Sequence, residues 1–357
     1  MNKAQLAMSF NWIFVLIVGI VFLTFFFSLI ASQSKVSDQK VSATIAKQFQ
    51  TILGTTTQKA GTFKTYSTPK IELSFYCDAN QAMSRYSLNG KIAGYTTHDV
   101  LFSPSNLKGT KLYTWTQEWA YPYQVTNFLY VTNKLHMFIF YSPNEVLPAD
   151  LENLLKIFPT NLTIFMMNDT HYPTKRLNNN LYTYVFFKNQ QPLPDIILTE
   201  KSKVIIIEPN KSSNIFDSGK VYFLSGNDLK LNRDLDSFNN SYYFGAASLF
   251  GAIFVGEKQQ YDCNMEKAFT RLLMLNKMYQ YRTTEALKYI PSFSNCQYLY
   301  NGTSSLQTGL SQLLDDFSDT LEGGFLNIDA VKFKKLVLDL RNKNNRISSE
   351  GGCPGIY

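Results

Sequence analysis

HMFIFYSPNEVLPADLENLLKIFPTNLTIFMM, residues 136–167, reads as strand, helix, strand. His136 to Tyr141 and Leu162 to Met167 are short β-branched and aromatic runs of strand length, bounded by turn residues. Between them Pro148-Ala149-Asp150 opens a short helix that continues through Ile157. Leu151, Leu154 and Leu155 fall on one face at the three- and four-residue spacing of an amphipathic helix. This order predicts a βαβ-like unit and places the chain in the α/β class.

The pattern extends in both directions. Strands are predicted at Ile71 to Tyr76, Lys111 to Trp115, Phe128 to Thr132, Leu181 to Phe187, Val204 to Ile207 and Val221 to Leu224. Val204-Ile205-Ile206-Ile207 is apolar at every position, as a strand buried on both faces would be. From Tyr242 the period becomes helical. Phe244 to Phe254, rich in Gly and Ala, is too short to span a membrane and predicts a buried core helix. Glu257 to Tyr281 is the clearest amphipathic helix, with Tyr261, Met265, Phe269, Leu272, Leu275 and Tyr279 at helical spacing. Two further helices are expected, Leu306 to Leu321 and Asp329 to Asn342. The organisation is therefore an α/β domain over residues 70–240 and a helical C-terminal layer of the same body over residues 241–357.

Toward the N-terminus the character changes. Trp12 to Ala31, WIFVLIVGIVFLTFFFSLIA, lies inside a stretch from Ala4 to Ser34 that carries no charge. At ~1.5 Å per residue such a helix matches a hydrocarbon core of roughly 30 Å, so residues 1–31 read as a signal-anchor segment with residues 12–31 in the lipid bilayer. Its apolar core is longer than that of a cleaved secretory signal, which predicts retention. Val41, Ile45, Phe49, Ile52 and Leu53 then recur at helical spacing up to Gly54. Thr55 to Pro69 is rich in Thr, Ser, Lys and Gly, so residues 32–69 read as a helical stalk and linker. Lys3 on one side of the span and Lys35, Lys40 and Lys47 on the other leave the positive-inside rule undecided. Two features favour a C-terminal body outside the cytoplasm: an even number of cysteines, and N-x-S/T acceptors for glycosylation at Asn161, Asn168, Asn210, Asn239 and Asn301.

Lys3-Ala4-Gln5-Leu6 ahead of the apolar run resembles the class III signal of archaeal pilins and flagellins, which implies cleavage between Ala4 and Gln5. More widely, KAQLAMSFNWIFVLIVG from Lys3 to Gly19 is similar to the opening of a group of uncharacterised archaeal single-pass membrane proteins. Leu101 to Thr132 and Tyr242 to Leu273 resemble the same group. The resemblance implies location and topology and brings no activity with it.

Catalytic chemistry has little to stand on in this sequence. His98, His136 and His171 sit in separate segments, and none has a second His at helical spacing or a nearby Cys, the pattern a zinc site needs. There is no G-x-S-x-G elbow, Walker loop or G-x-G-x-x-G. Asp234 and Asp236 start a loop that lacks the glycine and closing glutamate of a calcium site, and Asp315, Asp316 and Asp319 fit the wet face of a helix. No metal and no cofactor is expected. The net charge of +7 is spread along the chain rather than blocked among aromatics, which argues against nucleic acid. The 28 Phe and 22 Tyr are read as core packing. Four cysteines allow three pairings; spacing along the helical region favours Cys263 with Cys296, leaving Cys77 to hold Cys353. The sequence predicts a single-pass extracytoplasmic envelope protein, non-enzymatic, that contacts other envelope proteins or itself. The alternatives are a pilin-like filament subunit and a tethered α/β enzyme or solute-binding module.

Overall fold

A computed structural model describes residues 15–29, 59–78, 83–96, 100–143, 149–168, 181–188, 201–210, 214–225, 239–291, 295–303 and 307–349, with single positions at 44, 47, 51, 199, 353 and 355. The chain divides into two compact units, Met1–Thr51 and Ile52–Tyr357. In the first, residues 15–29 form helix α1, whose side chains are exposed except for half-buried Val18. Its one threonine, Thr24, returns its hydroxyl to the carbonyls of Ile20 and Val21 at 3.0 and 2.9 Å, which satisfies a polar group in an apolar helix. Among the described residues no helix is long and apolar enough to cross a membrane. The spanning helix expected over residues 12–31 is thus seen only over 15–29, and both ends of the run, with Ala4 and Gln5, lie outside the described residues.

The second unit carries strands β1 (Phe63–Asp78), β2 (Met83–Leu88), β3 (Lys91–Thr96), β4 (Leu101–Phe102), β5 (Asn106–Ala120), β6 (Gln124–Asn133), β7 (His136–Tyr141), β8 (Thr163–Met167), β9 (Leu181–Phe187), β10 (Ser202–Pro209), β11 (Ser218–Ser225), β12 (Asn240–Phe244), and the short pair β13 (Gly302–Thr303) and β14 (Gln307–Thr308). Its helices are α2 (Ala149–Ile157), α3 (Ala246–Val255), α4 (Lys258–Leu287), α5 (Asn295–Asn301), α6 (Leu310–Leu321) and α7 (Ala330–Ser349). Two six-stranded sheets result. The first, in the order β3-β2-β1-β5-β6-β4, is antiparallel except where β4 runs parallel to β6. The second, β12-β11-β10-β9-β7-β8, has four parallel strands extended by antiparallel β11 and β12.

The β7-α2-β8 unit forms as the sequence predicts, with Met137 opposite Thr163 and Tyr141 opposite Met167 in parallel register. Leu151 and Leu154 are buried and Leu155 half-buried. Strand β10 is apolar on both faces for a reason the packing now gives. Ile205 and Ile207 enter the main core, while Val204 and Ile206 join a second cluster on the opposite face with Tyr141, Tyr184 and Tyr222.

Helix α3 sits at the centre of the main core, which is why nearly every residue from Ala247 to Val255 is buried. Phe250 meets Trp115 of the first sheet at 5.0 Å between ring centroids. Phe254 meets Tyr130 of the first sheet and Phe138 of the second at 5.0 and 5.1 Å. The abundant aromatic residues are therefore largely core. Two of the polar tips that go in with them find a carbonyl: Trp119 Nε1 donates to Phe244 at 2.7 Å, and the Tyr130 hydroxyl donates to Ala247 at 2.7 Å. Gly256, at φ 70°, closes α3 in the left-handed conformation and returns its N–H to Ala252. A Cβ at Gly251 would lie 2.8 Å from the ring of Phe102, which is itself fully buried. Gly251→Val is accordingly expected to lower the unfolding free energy by about 3 kcal/mol, read as a shift of the urea midpoint.

Helix α4 ties the layers together through buried polar groups. Asn264 accepts from the backbone of Leu101 at 3.3 Å, and Lys267 donates to Ser84 at 2.5 Å. Asn276, fully buried, accepts from the Tyr123 hydroxyl at 3.0 Å and donates to Leu314 and Ser318 of α6 at 2.7 and 2.8 Å. Its side chain is thereby satisfied at both ends, the condition under which a buried amide is tolerated.

Several expectations are corrected. Residues 242–244 end strand β12, paired with β11, so the helical region opens at Ala246 rather than Tyr242, and the helix expected from Leu306 begins at Leu310 because Gln307 and Thr308 pair as β14. Strand β1 begins at Phe63, inside the stretch read as linker, because Phe63 to Ser67 pair with Lys111 to Trp115 of β5. Helix α4 runs to Leu287 rather than Tyr281, and α7 to Ser349 rather than Asn342. The cysteines pair as Cys77–Cys263 and Cys296–Cys353, not as Cys263–Cys296 and Cys77–Cys353. The helix length explains the change. Cys263 lies in the second turn of α4 facing the first sheet, and from there to Leu287 the helix climbs about 36 Å. The nine residues onward to Cys296 would have to run almost fully extended to bring it back to Cys263, whereas residues 288–290 turn and Cys296 itself lies in the helix α5.

Candidate functional site

At the amino ends of β7, β9 and β10 the second sheet meets β1 and β5 of the first, leaving a cleft of about 530 Å³. The usual ligand position in an open α/β sheet is at the carboxyl ends of the strands, so this site is fixed by the packing of two sheets rather than by strand order alone. Its charged lining comes from the middle of one strand, the starts of two others and a helix junction. Lys70 and Glu72 stand on β1, Lys108 on β5, Lys201 and Lys203 at the start of β10, and Glu257 between α3 and α4. Lys70-Ile71-Glu72 and Lys201-Ser202-Lys203 each place two charges on one face of a strand because side chains alternate, and the residues between them, Ile71 and Ser202, are buried.

Each carboxylate is held by a lysine. Lys108 Nζ lies 2.9 Å from Glu72, and Lys203 Nζ lies 2.8 Å from Glu257, whose Oε1 also accepts from Ser105 at 3.2 Å. Asn133 is fixed at both ends, accepting from the Leu135 N–H at 2.9 Å and donating to the Lys108 carbonyl at 2.9 Å. His136 forms part of the inner wall at 2 % exposure, with Nδ1 at 2.8 Å from the Thr132 hydroxyl and Nε2 at 2.8 Å from the Thr183 hydroxyl. Burial pushes its pKa down to about 3, so the ring is neutral at physiological pH. A neutral imidazole has one donor and one acceptor, so one threonine gives a hydrogen bond and the other receives one. With both nitrogens engaged, His136 is a weak base and serves to orient the wall.

A second depression of about 420 Å³ lies at the other end of the second sheet, between β10–β12 and the start of α7. Glu208 there accepts from Lys188 at 2.9 Å and from the Tyr222 hydroxyl at 2.5 Å. Burial and the Glu208 bond push Tyr222 up to about 12, so the phenol stays protonated.

Of the described residues marked out in the sequence, only His136 lines the main cleft. Asp315 and Asp316 accept from Gln280 and Gln312 on or beside the α6 surface, as a solvated face would. His98, His171, Asp234 and Asp236 lie outside the described residues. Among the described residues no group of three or more His, Cys, Asp or Glu is placed to hold a metal. Asn161, Asn210, Asn239 and Asn301 are exposed, and Asn168, at the end of β8, is half-buried. Sequence reasoning missed the lysines and glutamates of the cleft, whose only local signal was the alternating charge of Lys70-Ile71-Glu72 and Lys201-Ser202-Lys203. Comparison of the chain with protein-family models, with curated proteins and with solved structures finds no match.

Proposed function

We propose that this chain is a single-pass, membrane-anchored envelope protein whose α/β body stands outside the cytoplasm and acts by binding. The observation that carries the reading is the pair of disulfides, which uses all four cysteines and closes sequence separations of 186 and 57 residues. Such bonds persist in oxidising compartments and are rare where thiols are kept reduced. The four exposed acceptor asparagines fit the same placement. The uncharged run from Ala4 to Ser34 supplies the tether. The full chain is expected to remain in the membrane pellet after alkaline carbonate extraction and to lose its body to protease added to intact cells. Release by carbonate, or protection from protease until lysis, would overturn the proposal.

A second reading, a tethered solute-binding module, is favoured by one observation: a cleft of small-molecule size with four lysines and two carboxylates converging on it. The ion pairs and threonine bonds hold these groups in fixed orientations, which lowers the ordering cost of binding. Both readings describe one protein, the first its address and the second its body's activity.

A further inference from the structure

The lining of the cleft also indicates what it would hold, and this step rests on the solute-binding reading. Lys70, Lys108, Lys201 and Lys203 face Glu72 and Glu257, so among the described residues the lining carries a formal excess of two positive charges. An excess of that size calls for a ligand with a negative group. The two carboxylates argue against a polyanion, because a chain of phosphates laid across the cleft would meet Glu72 and Glu257 as well as the lysines. They suit a ligand that also brings hydroxyl donors, since a carboxylate held by lysine keeps further lone pairs to accept from them. The exposed amide of Asn106 adds a donor for a polyol, while half-buried Leu135 and Leu181 provide apolar surface for the C–H face of a sugar ring. Its volume of about 530 Å³ falls within the range of sites for small molecules.

We propose that this cleft binds a carboxylated sugar, a mono- or disaccharide of uronic-acid type. The acid group is met by the lysines of β1 and β10, and the hydroxyls by Glu72, Glu257 and the Asn106 amide. Lys70 and Lys201 are exposed, so their side chains can be changed with little disturbance of the core.

The test is calorimetric titration of the full chain in detergent with glucuronate and digalacturonate, and separately with glucose and inorganic phosphate, at two salt concentrations. Expected are saturable binding of the acidic saccharides, weakening by at least threefold from low to physiological salt, and no measurable binding of glucose. Lys70→Glu and Lys201→Glu are each expected to weaken binding at least tenfold with an unchanged melting temperature. Lys332→Glu, the same charge change on α7, is expected to leave it within twofold. Equal binding of glucose would overturn the acidic preference while sustaining the solute-binding reading. Tighter binding of phosphate than of glucuronate would overturn the sugar. No binding by any of these probes would overturn the inference, and the protease result above would still stand or fall separately.

Discussion

Replacing Cys77 and Cys263 together by alanine is expected to destabilise the body by about 5 kcal/mol, a larger loss than removal of the other disulfide should cause. The bond joins residues 186 apart, so its removal frees most of the unfolded chain. The same relation gives about 4 kcal/mol for Cys296–Cys353, which closes 57 residues. The two differ in structural consequence as well. Cys77–Cys263 fixes α4 to the end of β1, beside the Lys267–Ser84 bond, so its loss loosens the contact between the helical layer and the first sheet. Urea unfolding of both double variants under non-reducing conditions measures the effect. A larger loss from Cys296→Ala with Cys353→Ala, or a peptide map linking Cys263 to Cys296, would contradict the arrangement.

Acid is expected to act through His136. The ring has an ordinary pKa of 6.5 when unfolded, and burial holds it at about 3 in the fold. Between those values the unfolded chain binds a proton that the native protein excludes, so stability falls as pH falls through this window. The contribution is complete above pH ~6.5, levels off below pH ~3, and amounts to on the order of 5 kcal/mol. Asp262 works in the opposite direction. Burial raises its pKa despite the bonds to Lys258 and Ser241, which favours the fold slightly at low pH. Its effect is the smaller one because those partners offset part of the burial. His136→Gln removes the titrating group and leaves a side chain able to bond one threonine. That variant is expected to be less stable than the parent at pH 7 by about 2 kcal/mol and to show a shallower loss between pH 6 and 4. Unfolding curves at pH 7, 5.5 and 4.5 decide it, and parallel pH profiles for parent and variant would count against the buried neutral imidazole.

How far the sequence could be read depended on how local the cause was. Val204 to Ile207 announces a strand buried on both faces because every position is apolar, and both faces are indeed covered. The unit from His136 to Met167 was equally plain, since its strand, helix and strand are contiguous. The hairpin of β2 and β3 was missed although Asn89-Gly90 marks it. Those two residues take φ of 50° and 77°, the conformation a tight hairpin turn requires. The first half of β1 gave less warning: FKTYS is polar and half exposed, and only its partner β5 makes it a strand. The disulfide pairing turned on where α4 ends, six residues beyond the expected end at Tyr281. The cleft was the least legible of all. Its charges stand between Lys70 and Glu257, and only the packing of two sheets brings them together.

The central claim, an extracytoplasmic body closed by two disulfides, is tested most directly by thiol labelling of intact cells that express the full chain. An impermeant maleimide is applied before and after treatment with an impermeant reductant. The account predicts no labelling before reduction, and labelling of Cys296 and Cys353, the less buried pair, after it, with the cells still closed. Labelling without reductant, or labelling that appears only once the cells are lysed, would contradict it.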